Sequence, residues 1–279
     1  MSESSRRTAG SPSAALSAAV EVLACEPAGL LTDFDGTISA VVTDPTAARL
    51  VDGADGPLAS LARRLAVVAV VTGRSARDAR RIAPIPGLLV VGNHGMEWLD
   101  PAADEPAVAD GAASLGETLD EILARLPAMP GVLAEHKGVS ASVHYRNAPD
   151  ADAARASILE ALGDLEPLGF RTGHGRMIVE VRPIGLGDKG SAVHDIVDRY
   201  DLRGVVAMGD DVTDLDMFRA VAELRGTGRI RGAIIGVGAR DHEVVPEIAA
   251  ASDAVLPDPQ AAAAFLAQLA HALGEDVRR

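Results

Sequence analysis

The sequence predicts an α/β fold built on a mainly parallel sheet, on the strength of three observations. Short apolar runs alternate with longer helix-like stretches along most of the 279 residues, a pattern typical of right-handed βαβ units. The run 66–71 is apolar throughout, as expected of a strand covered by helices on both faces. Several runs end in polar turns containing glycine, and ligands of open α/β sheets bind beyond such strand ends.

The first hundred residues carry this alternation most clearly. Pro45 and the glycine-rich segment 52–57 mark loops between the predicted elements. In chain order those elements are a helix at 14–25, a strand at 29–34, a helix at 55–65, a strand at 66–72, a helix at 75–83 and a strand at 88–92.

The pattern changes near residue 100, where the segment 100–110 is rich in proline, alanine and acidic residues and is typical of a linker or exposed loop. Residues 139–145 alternate as in a half-exposed strand, and 173–176 predict a hairpin turn. Hairpin-linked strands are antiparallel, so this part is a different, smaller α/β module. Its predicted elements are a helix at 111–126, strands at 132–136 and 139–146, a helix at 151–162, and strands at 168–172 and 177–182.

After Pro183 the βα rhythm returns to the end of the chain. We therefore predict a disordered tail at 1–12, a core formed by 13–100 and 184–279, and a second domain inserted at 101–183. The elements of this last part are a helix at 188–200, a strand at 204–209, a helix at 213–224, strands at 232–237 and 252–256, and a helix at 258–273.

Composition excludes several classes of function. A net charge of −14 argues against binding nucleic acid or an anionic membrane, although a few arginines and lysines can still form a local anion site. The single cysteine, Cys25, fits a reducing cytosol, so a cytoplasmic location is expected. No run reaches the roughly 18 apolar residues of a membrane span, and no signal-type apolar region opens the chain. The expected partner is a small molecule, and the expected state is a monomer.

The stretch 30–37 carries the clearest chemical signal. An apolar run leads into Asp33 and Asp35, which point the same way along an extended strand because they are two residues apart. Two such carboxylates repel each other unless a cation or a proton compensates them. We therefore predict a metal site here, with a solvated acidic turn as the alternative.

Three further polar segments fall where predicted core strands end or helices begin. Thr72 precedes a helix whose N-terminus can hold a phosphate oxygen, although Ser75 in the same turn can be a simple helix cap. Lys189 opens the helix after the inserted module, and 208–214 follows the strand at 204–209. Together with Asp33 they bring a carboxylate nucleophile, a hydroxyl, a cation and an acidic cluster to one sheet edge.

The order of these four segments resembles the haloacid-dehalogenase (HAD)-like phosphatase superfamily. The segments 91–97, 144–146, 180–183 and 209–214 also resemble trehalose-6-phosphate phosphatases, and the likeness spans about 30–256. The fold that this resemblance implies is a HAD-like, Rossmann-type core with an inserted α/β cap domain.

The resemblance also implies roles for the core residues. Asp33 would be the nucleophile that forms an aspartyl-phosphate, and Asp35 the acid and base that serves both half-reactions. Mg²⁺ would be held by Asp33, the Asp35 carbonyl and Asp210, all hard oxygen donors.

The remaining core residues would assist these groups. Thr72 and Lys189 would hold phosphoryl oxygens in the transition state, while Asp211 and Asp214 would orient Lys189 or a metal-bound water. Where the family usually has a carboxylate, this chain has Leu215, which leaves the reaction unchanged.

Substrate choice would come from the cap, closing over the catalytic edge. A solvated strand face is the alternative for some of the charged residues concerned, and internal packing is the alternative for His144. Glu135, Lys137 and Glu180 are the leading candidates, because they meet in the family's cleft between cap and core. The full set of substrate-binding candidates is Arg74, Asn93, His94, Glu97, Glu135, Lys137, Ser140, His144, Arg146, Glu180 and Arg182.

The activity that the resemblance implies is hydrolysis of trehalose 6-phosphate to trehalose and phosphate. A related phosphatase for another sugar phosphate, such as sucrose phosphate or mannosyl-phosphoglycerate, is the nearest alternative. A non-catalytic lobe that senses trehalose phosphate is the second, but such lobes typically lose the nucleophile or the acid.

Overall fold

The structure, a computed structural model, describes residues 12–42, 44–111, 115–175, 177–238 and 244–276. Within these ranges lie twelve strands and nine α-helices, numbered here in chain order. The strands are β1 (Ala28–Thr32), β2 (Val67–Val71), β3 (Leu88–Gly92), β4 (Glu97–Leu99), β5 (Ala107–Val108), β6 (Leu133–His136), β7 (Ala141–His144), β8 (Phe170–Gly175), β9 (Ile178–Pro183), β10 (Gly204–Gly209), β11 (Arg231–Val237) and β12 (Ala254–Leu256). The helices are α1 (Pro12–Leu23), α2 (Asp55–Ala62), α3 (Ala76–Ile82), α4 (Gly116–Leu123), α5 (Ala151–Leu162), α6 (Lys189–Arg199), α7 (Leu215–Gly226), α8 (Pro246–Ala251) and α9 (Pro259–Asp276).

Eight strands form a large sheet in the order β12-β11-β10-β1-β2-β3-β4-β5. The first six in that order pair in parallel, and β4 and β5 add an antiparallel edge. β1 is central, since its Leu30 pairs with Val206 of β10 and Val68 of β2. The predicted α/β class with a mainly parallel sheet is confirmed.

Alternation along the strands explains why helices cover both faces of the large sheet. Leu30 of β1 packs on the side of α1, α2 and α9, while its neighbour Leu31 packs on the side of α6 and α7. Both side chains are fully buried, which for a leucine contributes about 1.5–3 kcal/mol.

A second, small sheet is antiparallel, with the order β6-β7-β9-β8, and α4 and α5 pack against one of its faces. The prediction that residues 139–145 form a half-exposed strand is wrong. Ala141 and Val143 pack against the helices, and Ser140 and Ser142 on the other side are also buried. Both faces of the strand are buried, since the helices cover its apolar side and its polar side faces the large sheet.

Several elements differ from the sequence-based predictions. β4 and α8 were not predicted, and β5 lies within the expected linker 100–110. The large sheet thus continues past residue 100, and the exact limits of the inserted domain stay a prediction. The predicted tail lies outside the described residues except for Pro12, which begins α1, and Arg176 of the predicted hairpin also lies outside them.

No helix in the described part of the chain combines the length and the apolar character needed to cross a lipid bilayer.

Candidate active site

The predicted core residues gather at one edge of the large sheet, where the parallel strands end. Four parallel strands are consecutive in the sheet, in the order β10-β1-β2-β3, so the loops that follow them converge. The N-terminus of α6 adds Lys189 at the same edge. The side chains that follow these strands are Asp33 and Asp35, Thr72 and Arg74, Asn93 and His94, and Asp210 and Asp211.

Lys189 joins two buried carboxylates. Its Nζ donates to Asp33 Oδ1 and to Asp214 Oδ1, each at 2.6 Å, and all three side chains are almost inaccessible. Asp214 Oδ2 accepts the backbone N–H groups of Asp210 at 2.9 Å and Asp211 at 3.0 Å. Both oxygens of Asp214 are therefore used in fixing Lys189 and the turn after β10.

This cluster contains more acidic than basic groups. Burial and the charge of Asp214 raise the pKa of the Asp33 carboxyl to about 7, against the opposing effect of Lys189. Burial and the charge of Asp33 raise the pKa of Asp210 well above its usual range. Three carboxylates with oxygens within 4.8 Å of one another thus face one ammonium group, an arrangement that favours a bound cation.

The turn after β1 is in direct contact with Asp210. Thr37 Oγ1 donates to Asp210 Oδ1 at 3.0 Å. Gly36 has φ +92°, and a Cβ there would overlap the Asp210 carboxylate. Glycine is thus required at position 36, both by the positive φ and by the close approach of Asp210, which follows the neighbouring strand β10. Thr37 holds the same carboxylate through its hydroxyl.

Arg74 contacts Asp35, although the sequence predicted a substrate contact. Its Nε donates to Asp35 Oδ2 at 2.6 Å and its Nη2 to Asp35 Oδ1 at 2.8 Å, a bidentate pair. Its Nη1 donates to Asp78 Oδ2 at 2.8 Å, and the guanidinium carbon lies 5.7 Å from the centre of the Phe34 ring.

Thr72 is buried at the end of β2, where its Oγ1 accepts the backbone N–H of Arg74 at 3.2 Å. The hydroxyl proton remains available for an oxygen in the cavity. Ser75 is the N-cap of α3, and its Oγ accepts the Asp78 N–H at 3.2 Å. Ser75 is therefore a helix cap, as the sequence allowed.

His94 connects the large sheet to the small sheet. Its Nε2 lies 3.0 Å from Glu180 Oε1, and its ring rests on Gly73, where a Cβ would come within 2.7 Å of the ring. Burial lowers the pKa of His94 below its usual value. Burial alone would raise the pKa of Glu180, but His94, Arg182 and Lys137 hold it well below its usual range.

A second connection between the sheets involves Lys137. Asn93 Nδ2 donates to the Lys137 carbonyl at 2.9 Å, and Lys137 Nζ donates to the Gly73 carbonyl at 3.0 Å. Ser140 Oγ donates to Asn93 Oδ1 in a short hydrogen bond. Asn93 and Ser140 are almost fully buried and use their polar atoms to join the two sheets.

Two other predicted residues of the small sheet lie near the loop after β1. His144 Nε2 lies 2.9 Å from Glu135 Oε2, so the two form a pair on neighbouring strands. Arg146 Nη1 donates to the carbonyl of Val42 at 3.1 Å. Burial alone would raise the pKa of Glu135, but His144 and Lys137 lower it.

Glu97 and Arg182 lie outside the cavity lining and make contacts within the protein. Glu97 is buried, and its Oε2 accepts the backbone N–H of Ala76 at 2.7 Å, which satisfies a free donor at the start of α3. Arg182 Nε and Glu180 Oε2 lie 3.5 Å apart, and both are buried with no hydrogen-bond partner in the described part of the chain.

A cavity of about 690 Å³ lies between the two sheets and contains most of the predicted residues. Its aliphatic wall consists of Val41, Val42, Leu133, Ile178, Val212, Val237, Val244 and Val245. The predicted residues that line it are Asp33, Asp35, Thr72, Arg74, His94, Glu135, Lys137, His144, Arg146, Glu180, Lys189, Asp210 and Asp211. The predicted residues outside this lining are Asn93, Glu97, Ser140, Arg182 and Asp214.

Sequence reasoning missed Thr37 and Asp78, which hold Asp210 and Arg74 in place. Asp78 follows Arg74 by four residues, a spacing that brings side chains together on a helix and could have identified the pair. Leu215, where the family resemblance led us to expect a carboxylate, packs in the apolar cluster below β10.

Comparison with solved structures identifies the class of fold. The chain superposes on the C-terminal domain of trehalose-6-phosphate phosphatase from C. albicans with a TM-score of 0.77, at 22% identity, covering 96% of this chain and 99% of that one. It also superposes on a phosphatase of the haloalkanoate (HAD) enzyme superfamily from Bacteroides thetaiotaomicron with a TM-score of 0.59, at 17% identity, covering 88% and 94%. The fold is that of the HAD-like hydrolases.

Comparison of sequences narrows this class to one family. The trehalose-phosphatase profile matches residues 31–242. A trehalose-phosphate phosphatase of Mycobacterium avium is 36% identical over 270 residues, which make up 94% of this chain and 66% of the relative. The chain belongs to the trehalose-phosphatase family, and it spans about two thirds of the length of that relative.

Proposed function

We propose that the protein is a phosphomonoesterase that hydrolyses trehalose 6-phosphate to trehalose and inorganic phosphate. The observation that carries this proposal is the Lys189 bridge between Asp33 and Asp214, with Asp210 beside it at the ends of the central strands. Family membership supports the same reaction, and the name of the mycobacterial relative supports the same substrate.

Asp33 is the nucleophile in this proposal. It attacks the phosphorus atom, the bond from phosphorus to the sugar oxygen breaks, and an aspartyl-phosphate forms. Water then attacks this phosphorus, releasing phosphate and restoring the carboxylate. Lys189, bound to Oδ1 of Asp33, holds that carboxylate in one orientation and leaves its other oxygen for the attack.

Asp35 moves the proton in both steps. It donates a proton to the departing sugar oxygen and then takes one from the hydrolytic water. Its position supports this role, because it follows Asp33 by two residues and lines the same cavity. Thr72 and Lys189 donate to the phosphoryl oxygens, whose charge changes in the transition state.

The donor set fits a divalent cation, with Mg²⁺ as the expected ion. Asp33 and Asp210 offer hard carboxylate oxygens, and the Asp35 carbonyl would add a third protein ligand. Asp214 is already saturated by Lys189 and two backbone N–H groups, so we assign it to positioning. When bound, the cation offsets the repulsion between the nucleophile and the phosphate dianion.

The small sheet supplies substrate recognition in this proposal and acts as a cap over the catalytic edge. The cavity volume falls in the range of about 300–1,000 Å³ that small-molecule sites occupy. Glu135, Lys137 and Glu180 line it from the small sheet, and carboxylate and ammonium groups suit paired sugar hydroxyls. Oε2 of Glu180 lies 3.5 Å from Arg182 Nε and accepts no hydrogen bond from the described residues, so it can serve as an acceptor for such a hydroxyl.

The test is phosphate release from a panel containing trehalose 6-phosphate, sucrose 6-phosphate, mannosyl-phosphoglycerate and glucose 6-phosphate, each with Mg²⁺. We expect trehalose 6-phosphate to give the highest kcat/KM. Another sugar phosphate with a tenfold higher value would contradict the proposed substrate. Binding of trehalose 6-phosphate without turnover of any substrate would instead favour a sensing lobe.

A further inference from the structure

Asp35 needs a defined orientation, and the structure shows how it obtains one. Its side chain is 34% exposed and lines the cavity, so cavity walls alone do not fix it. The guanidinium of Arg74 binds both of its oxygens at 2.6 and 2.8 Å. A planar fork bound in this way sets the plane of the carboxylate as well as its position.

The orientation of Arg74 depends in turn on Asp78. Nε and Nη2 of Arg74 are directed at Asp35, and Nη1 donates to Asp78 Oδ2 at 2.8 Å. The Phe34 ring on one side of the guanidinium is fully buried. Two carboxylates in the guanidinium plane and one aromatic ring beside it therefore define the position of the arginine.

Asp78 is itself well anchored but lies outside the cavity lining. It belongs to the first turn of α3, and its backbone N–H is held by the N-cap Ser75. Its other oxygen, Oδ1, accepts Nη2 of Arg81 at 2.6 Å. Each carboxylate oxygen thus has its own arginine, and the bond to Arg74 can be removed separately from the bond to Arg81.

We propose that Asp78 is a positioning residue for the reaction, acting on Asp35 through Arg74. This inference rests on the proposed phosphatase activity, in which Asp35 donates a proton to the sugar oxygen. A sugar alkoxide is a poor leaving group and depends on that proton, whereas a nitrophenolate leaves without it. Loss of the Asp78 contact therefore slows release of the sugar in the first step and spares release of a nitrophenolate, whereas the later hydrolytic step is the same for both substrates.

The experiment compares Asp78→Ala with the wild type in single-turnover measurements of the first step, as release of trehalose from trehalose 6-phosphate and of p-nitrophenol from p-nitrophenyl phosphate. We expect the first-step rate constant on the sugar phosphate to fall about tenfold, while inhibition by inorganic phosphate and the first-step rate constant on the aryl phosphate change less than about twofold. Arg81→Ala is the matched control, since it removes the other arginine bound to Asp78, and it should match the wild type. Asp78→Glu, which restores a carboxylate, should recover most of the loss.

Equal losses on both substrates, or no loss on the sugar phosphate, would overturn the inference. Asp78→Asn serves if the alanine variant does not fold, as judged by circular dichroism, and the same selective loss is expected from it. A failure of the proposed function appears as a wild type inactive on sugar phosphates. A failure of this inference appears as unselective losses, or none, in an active enzyme.

Discussion

The large and small sheets hold their site residues in different ways. At the edge of the large sheet, Lys189 lies 2.6 Å from both Asp33 and Asp214, and Asp214 is saturated by hydrogen bonds. On the small sheet, Glu180 Oε2 and Arg182 Nε lie 3.5 Å apart with no hydrogen bond among the described residues. At the large sheet, buried atoms in the same condition occur in the described part of the chain only away from the Lys189 bridge, at His94 Nδ1, Arg80 Nε and Asp100 Oδ1. Buried polar atoms are usually paired, and Glu180 lines the cavity, so its Oε2 is a position that a ligand can satisfy.

In the proposed function, this difference separates the residues that carry out the reaction from those that recognise the substrate. Groups that stabilise a transition state act best when they are already in place, as at the edge of the large sheet. Groups that recognise a substrate gain from remaining unsatisfied until it binds. Variants of Asp33 and Asp210 should therefore lose activity on every phosphate ester, whereas variants of the small sheet should lose activity on sugar phosphates selectively.

The largest effect is expected from Asp33→Asn. An amide cannot form the acyl-phosphate, so turnover of trehalose 6-phosphate and of p-nitrophenyl phosphate should both fall by roughly 10⁴-fold or more. Binding of trehalose 6-phosphate, measured by calorimetry, should persist. Asp55→Asn, an exposed acid in α2, is the control and should retain full activity. Unchanged turnover in the Asp33 variant would exclude the covalent mechanism.

The second effect concerns the cation at the same edge. Chelation with EDTA should lower activity on both substrates by roughly 100-fold or more, because the nucleophile and the phosphate then repel each other. Added Mg²⁺ should restore it. Asp210→Asn should raise the Mg²⁺ concentration needed for half-maximal activity, since it removes a charged oxygen donor. Full activity after chelation, with metal content checked by mass spectrometry, would contradict the proposed metal site.

A smaller, selective effect is expected on the small sheet. Glu180→Gln should raise KM for trehalose 6-phosphate about 10–100-fold, the range for a hydrogen bond to a charged group, and leave p-nitrophenyl phosphate hydrolysis unchanged. Glu160→Gln, on the exposed side of α5, is the control. Equal losses on both substrates would remove the distinction between the two sheets.

The smallest effect is a pH-dependent difference in stability. His94, Arg182 and Lys137 hold the pKa of Glu180 below its unfolded value of 4.5, so ionised Glu180 stabilises the folded protein above that pH. The melting temperature of Glu180→Gln should therefore lie about 2–4 °C below the wild type at pH 7. This gap should shrink as the pH falls below 4.5, in thermal scans by circular dichroism. A gap that is constant with pH would contradict the ionic origin.

Much of the large sheet and its edge could be predicted from the sequence. Strands such as β2 and β10 are continuous apolar runs, and the acids that follow them are adjacent in sequence to the strand ends. Asp33 and Asp210 had to meet once their strands were neighbours. The bridge from Lys189 to both Asp33 and Asp214 is a property of three distant segments and appears only in the structure.

The contacts of side chains between the two sheets could not be predicted from the sequence, because residue type does not fix a side chain's direction. Glu97 and Asn93 have the chemistry of sugar ligands, yet they bind the Ala76 N–H and the Lys137 carbonyl. Arg74 has the chemistry of a phosphate ligand and instead binds Asp35. The alternation of 139–145 indicated exposure, but a strand covered by helices and by a second sheet shows the same alternation.

Gly73 has a consequence for how sequences of this family vary. Its backbone lies outside the left-handed region, so the backbone conformation does not exclude an alanine. The obstacle is steric, because a Cβ at position 73 would lie 2.7 Å from the ring of His94. We therefore expect positions 73 and 94 to vary together among relatives. A relative with a larger residue at 73 is expected to carry a smaller one at 94, and with it a different partner for the carboxylate at 180.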